Sequence, residues 1–155
     1  MSDLSDLVLP GAVATRLGAT TRDQAIQALS KILAGAAQID PRRVFDSVLM
    51  RERLSGTGIG EGVAIPHAMV EGLERPIGAF ARLDPAVDFA AIDQQPADLV
   101  FLLLAPKGRS GDHLKALARI SRFLRRGEVR ARLRAARSQQ ELCAIFAAGP
   151  VSDAA

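Results

Sequence analysis

Residues 98–105 constrain the fold of this chain more than any other stretch. They read DLVFLLLA, a continuous apolar run behind a single aspartate. A strand with one solvated face alternates apolar and polar residues, whereas a strand buried on both faces is continuously apolar. The run therefore predicts a central strand in a sheet that carries helices on both of its faces.

Helical patterns lie on both sides of that run along the chain. Thr21 with Gln24 forms a capping-box pattern, and Asp40-Pro41 is typical of a helix start. Apolar residues then recur at helical spacing. Five helices are predicted, over residues 22–36, 41–53, 114–124 and 129–136 and in a segment capped by Ser138.

The remaining segments predict further strands and one domain. Residues 77–83 alternate as a strand does, Asp84-Pro85 indicates a turn, and residues 4–17 are interpreted as a loop or short strand. The fold class is α/β or α+β, a mixed sheet covered by helices. We expect a single domain over residues 1–150 and a disordered tail over residues 151–155.

A glycine-rich stretch precedes one of the two histidines. Glycines at 56, 58, 60 and 62 lead into Val-Ala-Ile-Pro and then His67. The spacing does not fit the dinucleotide motif, and no Gly-Lys-Ser/Thr follows as in phosphate-binding loops. His67, His113 and the single Cys143 do not form a recognisable metal-ligand set. The stretch therefore predicts neither a nucleotide site nor a metal site.

His67 is the candidate reactive residue. A neutral imidazole can attack phosphorus, and phosphoryl transfer needs mainly positioning and charge stabilisation. Three kinds of nearby group could supply that stabilisation. They are the glycine amides, the hydroxyl of Ser55 or Thr57, and the guanidinium of Arg51 or Arg53. The alternative is structural: a histidine after proline at a strand end can simply hydrogen-bond a carbonyl, and the glycines can simply form a turn.

Residues 51–67, 91–106 and 113–118 carry a specific resemblance. They are similar to the signature of the fructose/mannitol-type enzyme IIA domains of the bacterial phosphotransferase system, and the similarity extends over about residues 4–146. The Pro-His that ends the glycine stretch and a second histidine at the matching distance carry it. Within that family the chain most resembles the nitrogen-regulatory branch, a free-standing protein without a sugar-permease domain.

The resemblance implies a fold, a site and partners. It implies a five-stranded mixed sheet between helices, His67 as the phosphorylated histidine, and Arg51 and His113 as the residues that orient the phosphoryl group. The implied rim of the site is Ser55, Thr57, Gly58 and Glu61. The implied donor is an HPr-like carrier of the nitrogen type, and the implied targets include potassium-transport or sensor-kinase systems. No cofactor and no metal are implied.

Two residues depart from the nitrogen-branch pattern. Glu61 stands where that branch usually has Asn, and Ala68 stands where Gly is frequent. A carboxylate close to His67 would raise the pKa of its imidazole and repel a phosphoryl group there. We therefore expect Glu61 to oppose the proposed chemistry.

Two other functions stay open from the sequence. One is a sugar-transport IIA component that passes phosphate to a permease IIB domain, which the absence of a fused domain disfavours. The other is a basic binding module for nucleic acid or an acidic partner. Eleven of the 20 Lys and Arg lie in residues 107–137, where only Asp112 and Glu128 are acidic. A charge run of this kind is usually a solvated helix face, so no nucleic-acid partner is expected.

The sequence also predicts a cytoplasmic protein. The first ten residues contain acids and no basic segment, unlike a secretory signal. No apolar run approaches the ~20 residues that span a membrane. Cys143 is alone, which excludes an internal disulfide and is typical of a reducing compartment.

Overall fold

The computed structural model describes residues 4–148, and it has the predicted architecture of a mixed sheet between two layers of helices. The predicted tail, residues 151–155, lies outside the described residues. The strands are β1 Val8–Leu17, β2 Gly58–Gly60, β3 Val63–Ala64, β4 His67–Val70, β5 Ile77–Val87 and β6 Ala97–Pro106. The helices are α1 Arg22–Ala37, α2 Pro41–Leu54, α3 Ser110–Leu124, α4 Gly127–Ala135 and α5 Gln139–Ala148.

Strand β6 is the predicted central strand. It pairs antiparallel with β5 on one side and parallel with β3 and β4 on the other, in the order β1-β5-β6-β3-β2 with β4 also on β6. Its side chains alternate between two separate cores. Val100, Leu102 and Leu104 pack with α1 and α2, whereas Leu99, Phe101 and Leu103 pack with α3, α4 and α5. The continuous apolar run is thus needed because both faces of this strand are covered.

Strands β3 and β4 are two pieces of one interrupted strand. Val63 pairs with Leu99 and His67 pairs with Leu103, so both pieces keep the same offset against β6. Pro66 lies in the gap, where it has no N–H to give to the ladder, and its carbonyl accepts from Leu103 N at 2.9 Å. With this strand counted once, the sheet has the five strands that the resemblance implied.

The three predicted helix caps agree with the structure, whereas α3 and α4 begin at Ser110 and Gly127, before the predicted residues 114 and 129. The Thr21 hydroxyl accepts from Gln24 N at 3.1 Å, and the Asp40 carboxylate accepts from Arg42 N at 3.0 Å. Ser138 likewise caps α5, accepting from Glu141 N at 3.0 Å. The interpretation of Asp84-Pro85 as a turn is wrong, because β5 continues through these residues to Val87.

Residues 4–17 also differ from their interpretation as a loop or short strand. Val8–Leu17 is a ten-residue strand that pairs parallel with β5. Its register shifts between Val8 and Val13, and this irregularity accommodates Pro10 and Gly11 in the middle of the strand. Because β1 is at the sheet edge and half exposed, its apolar pattern is weak. Within residues 4–148, no helix has the length and apolarity required to traverse a bilayer.

Candidate functional site

A cleft at the exposed edge of β4 brings together three residues predicted for the site. His67 is the first residue of β4, Arg51 lies in the last turn of α2, and His113 lies in the first turn of α3. All three line a cleft of about 530 Å³. Because α2 and α3 belong to opposite layers of the sandwich, the cleft spans the edge of the sheet from one layer to the other.

The two histidines face each other inside this cleft. Their ring centroids are 5.1 Å apart with the ring planes tilted by 49°, and each side chain is largely buried. His67 Nδ1 lies 2.7 Å from the Ile65 carbonyl oxygen. A carbonyl can only accept a hydrogen bond, so Nδ1 carries the proton of the neutral ring and Nε2 carries the free lone pair.

Burial favours the neutral form of both imidazoles. It lowers the pKa of His67 below its ordinary value of 6.5, and the charge of Arg51 and the neighbouring His113 lower that pKa further, against an opposing effect of the Ile65 hydrogen bond. Burial and Arg51 likewise lower the pKa of His113. Glu61 does not contribute the predicted rise in this pKa, because its carboxylate faces Arg130 and not His67.

These lowered pKa values predict that the protein is less stable at pH 5.5 than at pH 7.5. Below pH 6.5 the unfolded chain binds protons on both histidines before the folded chain does, so the free energy of unfolding falls as the pH falls through that range. Urea unfolding at the two pH values measures the difference. In a His67→Asn/His113→Asn variant the difference should shrink, and a difference of wild-type size there would contradict the assignment.

The cleft also contains residues that the sequence reasoning missed. Met50 and Leu54 on α2 are exposed at its rim, with Met69 on β4 and Lys107 after β6. Part of this rim could have been found from the sequence. Met50 and Leu54 are large apolar residues on the polar side of a helix whose buried face is Val44, Val48 and Leu49. A group of exposed large apolar side chains at the rim of a cleft is typical of a surface that contacts another protein.

The four residues predicted for the rim are not among those that line this cleft. Thr57 is buried, and both its N–H and its hydroxyl donate to Glu52, at 3.0 and 2.6 Å. Gly58 N donates to the Phe89 carbonyl at 3.2 Å. Ser55 ends α2, and its carbonyl accepts from Arg51 Nη1 at 2.9 Å. The Thr57 and Gly58 donors are thus already paired away from His67.

Glu61 belongs to a different part of the surface. It occupies the turn between β2 and β3, where its backbone N–H donates to Asp93 at 2.9 Å and its carbonyl accepts from Arg134 Nη2 at 2.9 Å. Its carboxylate points toward Arg130, 3.8 Å away. A separate cleft of about 670 Å³ lies beside this turn and is lined by Glu61, Asp98 and Arg134 among others. The second departure, Ala68, is buried and faces α1 and α2.

The described residues give little support for a metal site or for a basic surface that binds nucleic acid. No group of three His, Cys, Asp or Glu within residues 4–148 is arranged to hold a metal ion. Much of the basic stretch is used internally: Arg119 pairs with Asp6 at 2.6 Å, and Arg134 grips both oxygens of Asp98. These arginines stabilise the fold instead of forming an open basic patch.

Comparison with known proteins agrees with this architecture. The family model described as "Phosphoenolpyruvate-dependent sugar phosphotransferase system, EIIA 2" matches residues 7–149. A nitrogen regulatory protein of Bradyrhizobium diazoefficiens is 46% identical over 97% of this chain and 99% of its own length. A fructose-specific EIIA component of Haloferax volcanii is 34% identical over 95% of this chain and 96% of its own length.

A solved structure gives the same result. The nitrogen regulatory protein IIA-Ntr of Neisseria meningitidis superposes with a TM-score of 0.84 and 28% identity, covering 92% of this chain and 98% of that one. The family membership predicted from the glycine stretch and its histidine, that of the enzyme IIA domains of the phosphotransferase system, is confirmed. The chain belongs to the EIIA 2 family of the phosphoenolpyruvate-dependent phosphotransferase system.

Proposed function

We propose that this protein is a regulatory phosphocarrier that accepts a phosphoryl group on Nε2 of His67. One observation carries the proposal: a buried, neutral histidine has its Nδ1–H held by the Ile65 carbonyl, so the lone pair of Nε2 is free in a cleft with Arg51 and His113. A simple structural histidine would need neither the second histidine nor the arginine. The structural alternative considered for His67 therefore leaves the composition of the cleft unexplained.

The transfer balances without an added reactant. The lone pair of His67 Nε2 attacks the phosphorus of a phosphohistidine on the donor, an HPr-like carrier of the nitrogen type. The new N–P bond forms as the donor's N–P bond breaks, and the donor ring, protonated on its other nitrogen, leaves with the electron pair as a neutral imidazole. The proton on Nδ1 of His67 stays in place, held by Ile65. No metal or dissociable cofactor takes part in this step.

Arg51 and His113 stabilise the charge that arrives. A phosphoryl group brings about two negative charges, and a guanidinium fork matches its oxygens. Each charge-assisted hydrogen bond of this kind contributes about 1.5–3 kcal/mol. His113 stands in the first turn of α3, where the helix dipole adds partial positive charge. The site thus combines a neutral nucleophile with the cationic Arg51 and the partial positive charge at the start of α3.

The regulatory role follows from where the charge appears. Met50 is 70% exposed and Leu54 80% exposed at the rim of the cleft. A partner that covers this apolar rim would meet the positive charges of Arg51 and Lys107 in one state, and those charges together with a dianion in the other. Relatives named as nitrogen regulatory proteins support this choice. We place the exchange in the cytoplasm, with regulatory proteins as targets.

Phosphate labelling tests the proposal. With phosphoenolpyruvate, enzyme I and the nitrogen-type carrier, wild-type protein should gain one acid-labile phosphate, and His67→Ala should gain none. Glu61→Asn is the matched control, because Glu61 faces Arg130, and it should label at the wild-type rate with an unchanged phosphohistidine lifetime. Persistent labelling of His67→Ala would refute the site, and unlabelled wild type would refute the function.

A sugar-transport role is the second candidate, and one observation favours it. The fructose-specific EIIA component of Haloferax volcanii matches this chain over nearly all of both lengths, so a chain of this size is compatible with sugar transport. Phosphorylated protein mixed with a fructose- or mannitol-type IIB domain separates the two roles. Rapid transfer of the phosphate to that domain would favour transport, whereas retention on His67 favours regulation.

A further inference from the structure

Glu52 is a buried acid that the mechanism above does not use. It lies next to Arg51 in α2, yet only 2% of it is exposed and it does not line the cleft. Both oxygens of its carboxylate bind one residue: Oε2 accepts from Thr57 N at 3.0 Å and Oε1 accepts from the Thr57 hydroxyl at 2.6 Å. Arg22, 3.4 Å away, balances its charge. A buried carboxylate is costly unless it is fully bonded, so this arrangement calls for a reason.

The hydrogen bonds continue from Thr57 to the nucleophile. The Thr57 carbonyl accepts from Ile65 N at 3.1 Å, and the Ile65 carbonyl accepts from His67 Nδ1 at 2.7 Å. Ile65 lies in the gap between β3 and β4, where no strand pairing is assigned to it. Its neighbours Ala64 and Pro66 are held against β6, and its own N–H is held by Thr57, which Glu52 binds.

We propose that Glu52 is a positioning residue for the phosphoryl-accepting histidine. By fixing Thr57 it fixes the Ile65 carbonyl, and that carbonyl holds His67 as the Nδ1–H tautomer. The partner of one ring nitrogen decides which nitrogen carries the proton. Only the Nδ1–H form leaves Nε2 able to attack, so a loose Ile65 carbonyl lowers the reactive fraction. The effect on transfer rests on the proposed function, whereas the effect on the tautomer does not.

Three substitutions at Glu52 separate position from charge. Glu52→Gln has the same length, and its amide oxygen can accept from Thr57 N while its amide N–H donates to the Thr57 hydroxyl. Glu52→Asp keeps the charge but is one methylene too short for both bonds. Glu52→Ala removes both. If Glu52 acts by position, Gln preserves the wild-type behaviour and Asp loses it; if it acted through its charge, the order would be reversed.

Two measurements test this. Nitrogen-15 NMR of the unphosphorylated protein at pH 8, with His67→Gln used for assignment, reports the tautomer. Wild type and Glu52→Gln should show a protonated Nδ1, and Glu52→Asp and Glu52→Ala a ring protonated mainly on Nε2. Transfer from the phosphorylated carrier should fall about tenfold in the latter two. Folded Asp and Ala variants with a pure Nδ1–H ring would overturn the proposal.

A second pair of variants protects the test against misfolding. If Glu52→Ala does not fold, Thr57→Val removes the hydroxyl alone, and it should shift the tautomer while Thr57→Ser does not. An unshifted tautomer in folded Thr57→Val would count against the proposal. The NMR readout needs no phosphate donor. Wild type that shows the Nδ1–H ring but takes no label would thus refute the proposed function and leave the positioning role standing.

Discussion

Replacing Arg51 by alanine is expected to slow phosphoryl transfer to His67 by about 10²–10³-fold, the usual loss when one stabilising donor is removed from a reaction centre. Arg51 lines the cleft, and its charge acts on both histidines. Arg51→Lys keeps the charge without the planar fork, so we expect an intermediate rate. Single-turnover transfer from the phosphorylated carrier measures the effect.

Arg53→Ala is the matched control for that experiment. Arg53 lies two residues further along α2, is exposed, and is 3.8 Å from Asp23, so transfer should proceed at the wild-type rate. The Arg51→Ala variant should also raise the pKa of both imidazoles, measured by NMR titration, because a repelling positive charge has been removed. Transfer by Arg51→Ala within threefold of wild type would show that Arg51 does not contact the phosphoryl group.

Phe101→Ala is expected to have the largest effect on stability, a loss of about 3–5 kcal/mol in the free energy of unfolding. Phe101 is fully buried at the centre of β6, with its ring 5.9 Å from that of Phe146 on α5. It also covers Gly78 on β5, where a Cβ would overlap the ring. Gly78 has no side chain that could fill the space left by the phenyl ring, so we expect the substitution to leave a cavity.

Urea unfolding measures this loss, and an unchanged dependence on urea concentration would show that the unfolding transition itself is the same. Ile92→Ala is the control, because Ile92 is 95% exposed, and its effect should stay within about 0.5 kcal/mol. A loss below 1 kcal/mol in Phe101→Ala would mean that the core around β6 repacks more readily than its geometry indicates.

The parts of the fold that follow local rules were predictable from the sequence. Residues 98–105 predicted β6 because burial on both faces demands an unbroken apolar run, and Thr21 predicted α1 because capping involves neighbours in sequence. Strand β1 was not predictable in full. Pro10 and Gly11 usually interrupt a strand, and only the register shift against β5 accommodates them.

The candidate site was likewise predictable only in part from the sequence. His67, Arg51 and His113 meet as the resemblance implied, although their roles stay predictions. The rim could not be predicted, because closeness in sequence to His67 does not determine which side of the hairpin a group faces. Thr57 is ten residues from His67 yet is bonded to Glu52, and Glu61 is six residues away yet lies against α4. Those pairings depend on contacts between distant segments.

The position of the cleft across the sheet edge has a consequence for the life of the molecule in a cell. Its arginine comes from the layer built by α1 and α2, and its second histidine comes from the layer built by α3, α4 and α5. A newly made chain with only one layer docked therefore lacks the complete cleft. Under the proposed function, immature or damaged copies would not draw on the phosphate supply.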